Sequence, residues 1–175
     1  MIGTCNRRVV LCLGPVVALL LALPVTTPVL AGNPTIEADF WSIIDSPERT
    51  GGGMAMFDFS MKTGLTARFV LGVSNAGGTA QPLEFYVIFT GAVDVAGQID
   101  APGFDCEVRH DAGINAAIRC TSPSVAADGE AHAVRFQARG IAAGNGKIGA
   151  VLNPSRASPE SEYDNNNFTV NVSVE

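Results

Sequence analysis

Apolar and polar residues alternate in twos along most of the chain after its first forty positions. Phe57, Phe59 and Met61 alternate with Asp58, Ser60 and Lys62. Phe69, Leu71 and Val73 continue the pattern, followed by Leu83, Phe85, Val87 and Phe89. It returns at Val134, Phe136 and Ala138, at Ile148, Ala150 and Leu152, and at Phe168, Val170, Val172 and Val174. A period of two with one polar side predicts half-buried strands of an antiparallel sheet. No stretch after residue 31 sustains the i, i+3, i+4 spacing of an amphipathic helix. Turn signals punctuate the runs: Gly51-Gly52-Gly53, Asn75-Ala76-Gly77-Gly78, Ala101-Pro102-Gly103, Asp128-Gly129, Gly144-Asn145-Gly146 and Asn153-Pro154. Gly and Asn tolerate positive φ and Pro fixes φ, so each site predicts a reversal. At least six short strands with turns this frequent predict an all-β sandwich, with the alternating apolar residues lining its two inner faces.

The first 31 residues follow a different logic. Arg7 and Arg8 form a positive start, Val9 to Leu23 an apolar run of 15 residues, and Val29-Leu30-Ala31 a small-residue cleavage site. The run contains Gly14-Pro15 and falls short of the about 20 residues that span a bilayer. The segment predicts a secretory signal cut between Ala31 and Gly32, with one domain over 32–175 and no membrane span after its removal. Residue 32 is Gly, not the Cys a lipoprotein needs, and no apolar tail ends the chain. The expected location is secreted, in the extracellular space or the cell envelope.

Composition changes once that segment is set aside. The whole chain carries 11 basic and 17 acidic residues; without Arg7 and Arg8 the balance is nine against 17, a charge of −8. Nucleic acid needs a basic surface, so it is excluded as a partner. Cys5 and Cys12 leave with the signal, and Cys106 and Cys120 remain, fourteen positions apart. An exported chain with two cysteines predicts a disulfide, which closes its loop with about 3 kcal/mol in the chain-entropy model. The spacing fits no CxxC redox or metal pattern.

Four segments in order carry a resemblance. Val73-Ser74-Asn75-Ala76-Gly77 is similar to the V-x-N-x-G that ends the second strand of bacterial Ig-like extracellular modules, the conserved-repeat and CARDB (cell-adhesion-related) domains. Pro102-Gly103-Phe104-Asp105-Cys106 with Ile118-Arg119-Cys120-Thr121 resembles their paired cysteines. Val125 to Ala131 resembles the acid-Gly turn into the fifth strand, and Glu162-Tyr163-Asp164-Asn165-Asn166-Asn167 the acid-rich turn before the last. The resemblance covers about residues 36–175 and implies an immunoglobulin-like fold and a non-catalytic binding or structural role. These modules usually occur as repeats, and here one stands alone.

Candidate chemistry is sparse. His110 lies in the cysteine loop beside Arg109 and Asp111, and His132 shares the inward parity of Val134 and Phe136. No Gly-x-Ser-x-Gly and no His-x-x-x-His is present, and paired carboxylates for glycoside cleavage leave no spacing to read. No catalytic residue and no cofactor is expected. Glu160, Glu162, Asp164 and Asn166 are weak candidates for oxygen ligands to calcium, against a role in capping the turn before the final strand. Asn167-Phe168-Thr169 and Asn171-Val172-Ser173 match the glycosylation pattern, but they lie in a predicted strand and the Arg-rich composition suggests a bacterial source. Arg68, Arg135 and Arg139 should share one outer face, either as an anionic-polymer patch or paired with Glu37 and Asp39 of the first strand. Tyr86, Ile88 and Val151 break the polar-outward rule and form the candidate surface for a protein partner. The competing readings are a secreted enzyme and a weak calcium-binding domain. The partner itself, an envelope or extracellular protein or polymer, is not encoded in any motif.

Overall fold

The computed structural model describes residues 38–47 and 58–175. The signal segment, its cleavage site at Ala31 and Gly32, Glu37, Gly51 to Gly53 and Phe57 lie outside the described residues. Among the described residues the alternating runs form strands. In β3 (Thr66–Asn75) Ala67, Phe69, Leu71 and Val73 are buried, and in β4 (Gln81–Gly91) so are Leu83, Phe85, Val87 and Phe89. The same holds for β8 (His132–Gly140), β9 (Gly144–Leu152) and β10 (Asn167–Val174). The remaining strands are β1 (Phe40–Asp45), β2 (Asp58–Met61), β5 (Val93–Asp100), β6 (Asp105–Arg109) and β7 (Ala116–Val125). One 3-10 turn, Asp164–Asn166, is the only helical element among the described residues.

The strands form two sheets, ordered β1-β3-β8-β5 and β2-β10-β9-β4-β7-β6. Their inner faces meet in one apolar core. Phe136 on β8 stacks on Phe69 with centroids 5.7 Å apart and meets the edge of Phe89, on the opposite sheet, also at 5.7 Å. Phe59 on β2 closes the other side of Phe69 at 5.0 Å. All pairings are antiparallel except β2 with β10. The exception follows from the path: the chain leaves β1 in the smaller sheet and re-enters at Asp58 in the larger one, alongside the last strand.

The V-x-N-x-G segment has a structural task. Asn75 Oδ1 accepts hydrogen bonds from the backbone N–H of Asp39 (3.1 Å) and of Gly77 (3.0 Å). Its Nδ2 donates to the carbonyls of Thr79 (3.1 Å) and Val125 (3.2 Å). One buried amide therefore ties together the approach to β1, the β3–β4 turn and the end of β7. Gly77 is needed beside it, because a Cβ there would stand 2.6 Å from the Ala38 backbone.

One expected turn is corrected. Gly144-Asn145-Gly146 opens β9, and the chain reverses just before it, at residues 141–143. Gly146 pairs with Gly91, where β4 ends and the chain crosses to the other sheet as β5. A Cβ on Gly91 would stand 2.4 Å from the Asn145 carbonyl, and one on Gly146 2.8 Å from Val93. These glycines thus serve a close crossing of strands and not a loop.

Replacing Asn75 by Ala removes all four bonds and strands buried backbone groups. Urea unfolding should show a loss of about 2–4 kcal/mol. A loss under about 0.5 kcal/mol would contradict the clamp.

Candidate functional site

The outer face of the six-stranded sheet brings together the three residues singled out as a surface. Tyr86 on β4 stands directly opposite Val151 on β9, and Ile88 follows two positions along, opposite Gly149 and Ala117. All three are half-buried. Neighbours this close on one face of an antiparallel pair make a continuous patch, so Tyr86, Ile88 and Val151 form one apolar platform, with the half-buried Gly149 between them and the covered Ala117 beside Ile88.

A network of charges frames the platform on the side of β7 and β6. Arg119, opposite Tyr86, donates from Nε to Glu84 Oε1 at 2.6 Å and from Nη1 to Glu107 Oε1 at 3.2 Å. Tyr86 donates its hydroxyl to Glu84 Oε1 at 3.0 Å, which fixes the ring tip against the pair. Arg109 reaches Glu107 at 2.6 Å. The Arg119 hydrogen bond holds the Glu84 carboxyl below its usual value against the opposing effect of burial, with help from Tyr86. The bonds from Arg109 and then Arg119 lower Glu107 in the same way, and Arg119 is raised in turn, first by Glu84.

Beyond Ile88 the same face becomes polar. Thr90, Lys147, Asn171 and Asp58 lie in one row across β4, β9, β10 and β2. They border a shallow hollow of about 450 Å³ whose upper end is the side-chain-free Gly91–Gly146 pair. Asn171 Nδ2 donates to Asp58 Oδ1 at 3.2 Å.

The other expected residues fall elsewhere. Arg68, Arg135 and Arg139 do share the outer face of the four-stranded sheet; Glu37 lies outside the described residues, and the expected pairing of Arg135 and Arg139 with Asp39 needs correction. Arg135 bonds Asp100 of β5 at 3.1 Å, and Arg139 stands opposite Asp94 of the same strand. Asp39 instead accepts from Asn165 Nδ2 at 2.7 Å. The reason is topological: β8, which carries two of the arginines, has β5 as a neighbour and β1 lies one strand further away.

The calcium candidates form a hydrogen-bonded turn. Glu160 Oε1 accepts from the side-chain amides of Asn153 and Asn166, and Oε2 from the Phe40 N–H at 3.1 Å. Glu162 Oε1 accepts from the Asp164 N–H at 3.0 Å. Among the described residues, no group of three or more His, Cys, Asp or Glu is placed to hold a metal ion. Cys106 and Cys120 are joined in a disulfide, directly opposite each other on β6 and β7. His132 points inward against Phe104, 6.2 Å between ring centroids, while His110 binds the Asn115 carbonyl at 2.9 Å in the exposed β6–β7 loop.

Sequence reasoning missed an outward apolar strip on the smaller sheet. Ile43 and Val70, with Gly72 and Ala133, border a hollow of about 390 Å³, and Trp41 shares their parity. Odd positions of β1 face outward, and Trp41-Ser42-Ile43 was the signal available.

No protein-family model matches the chain, and no curated protein matches it. Solved structures do. The CARDB domain of a Pyrococcus furiosus protein superposes with a TM-score of 0.54 at 17% identity, over 79% of this chain and 96% of that one. A crystal structure of that domain, in complex with di-metal ions, gives 0.50 at 16% identity, over 79% and 90%. The fold is that of a CARDB domain. A cohesin module from a Clostridium perfringens family 33 glycoside hydrolase gives 0.49 at 10% identity, over 81% and 98%. Among the described residues of this CARDB-like sandwich, no helix is long and apolar enough to cross a membrane.

The lowered Glu84 carboxyl sets a pH dependence. A group depressed on folding stabilises the native state fully above its ordinary value, here 4.5, and this is lost as pH falls through the lower folded value. Glu84→Gln should therefore melt below the wild type at pH 7, and the gap should close on acidification below 4.5. A gap that stays constant down to about pH 3 would contradict the role of the Arg119–Glu84 pair.

Proposed function

We propose that this chain is an exported, non-catalytic binding module of the cell envelope or extracellular space, and that the outer face of its six-stranded sheet recognises a protein partner. One observation carries the reading: Tyr86 and Val151 are cross-strand neighbours with Ile88 beside them, in a platform rimmed by Arg119, Glu84 and Glu107. An apolar centre with aromatic and Arg groups inside a polar margin is the anatomy of a protein interface. The Arg119–Glu84 pair, with side chains 31% and 28% exposed, holds the Tyr86 hydroxyl before any partner arrives. Less ordering is then required on binding. The likeness to CARDB folds supports a module and not an enzyme, although fold alone never assigns activity. The N-terminal signal features and the disulfide support export.

The test uses residues 32–175 as bait against envelope and culture-fluid proteins of the source cell. Wild type and the Arg135→Ala/Arg139→Ala variant should capture the same partner. Tyr86→Ser/Ile88→Ser should retain its circular dichroism and lose at least about tenfold in affinity, the equivalent of 1.4 kcal/mol. Undiminished capture by that variant would overturn the assignment of the face.

A further inference from the structure

Among the described residues β6 is an edge strand whose only sheet neighbour is β7. Four of its five residues are exposed, and even the inward-facing Val108 is 41% exposed. The fully buried core draws no residue from it; the half-buried Cys106 alone of its residues packs against that core. The loop that follows is anchored independently. Asn115 donates its backbone N–H to Phe89 O at 2.9 Å and its side-chain amide to Gly91 O and Val93 O, both at 2.7 Å. At the other end, the half-buried Phe104 ring meets the edge of Phe85 at 5.2 Å. Between these two anchors β6 is held by a five-residue ladder, the exposed Glu107–Arg119 pair and the Cys106–Cys120 disulfide.

We propose that this disulfide is a redox-sensitive latch: its reduction frees β6 from the sheet edge while the rest of the sandwich stays folded. The reductant is a dithiol. One of its thiolates attacks the sulfur of the half-buried Cys106 and displaces the Cys120 thiolate. Its second thiol then displaces Cys106, the reductant leaves as its own disulfide, and both cysteine sulfurs end as thiols after proton uptake. Release of β6 also withdraws Glu107 from Arg119, so it loosens the rim beside Tyr86. That last consequence rests on the proposed recognition face; the latch itself does not.

Hydrogen exchange followed by mass spectrometry, on residues 32–175 with and without dithiothreitol, tests the latch. In the reduced protein, peptides covering 104–111 and the β6-facing amides of 117–121 should exchange at least about tenfold faster. Peptides from β3, β4, β8 and β9 should keep their protection, and reoxidation should restore the original pattern. Cys106→Ser should reproduce the reduced pattern without any reductant. Unchanged protection of 104–111, in the reduced protein or in the variant, would overturn the proposal, because the ladder alone would then hold β6. Simultaneous loss at β3 and β8 would overturn it too, by making the disulfide a staple of the whole fold. Neither readout needs a partner, so failure of the latch and failure of the recognition face are separable.

Discussion

The contact between the two inner faces is the constraint from which the rest of the molecule follows. Each sheet carries its large, continuous apolar face on the inner side, and neither can hide that side without the other. Phe136 sits at the junction, stacked on Phe69 of its own sheet and edge-on to Phe89 of the facing one. With inward positions committed to this core, every second residue of each strand is left to face outward. The Asn75 clamp then fixes how the sheets close at one end, by joining the approach to β1 to the end of β7 through a single side chain.

The two outer faces spend this freedom differently. On the four-stranded sheet the basic residues of β8 meet the acids of β5, which disperses charge across neighbouring strands. On the six-stranded sheet the charges converge on Arg119 at the border of an apolar platform. Even the polar corner beyond it arises from a packing demand. Gly91 and Gly146 must lack side chains so that the chain can cross between sheets, and their backbones line one end of the hollow.

Strand parity was legible in the sequence because burial on one face writes it directly. Phe85, Val87 and Phe89 point inward, and Tyr86 and Ile88 point outward, as the alternation implied. The resemblance carried by Val73 to Gly77 located the clamp without saying what Asn75 does. Parity gives a face but not a neighbour, and neighbours come from topology. The arginines of β8 therefore met Asp94 and Asp100 where Asp39 had been expected. β5 bends at Gly97 and β6 lies exposed at an edge, so neither shows a clean period of two. The Glu84–Arg119–Glu107 network spans three strands, and no local spacing could have announced it.

The proposed recognition face is the outer side of the six-stranded sheet, while the smaller sheet offers its own apolar strip at Ile43 and Val70. The most direct measurement places a photo-reactive amino acid at Ile88 in one variant and at Val70 in another, each exported by the source cell and irradiated there. A discrete protein adduct from position 88, absent from position 70, is the predicted result. An adduct from position 70 alone, or none from position 88, would contradict it.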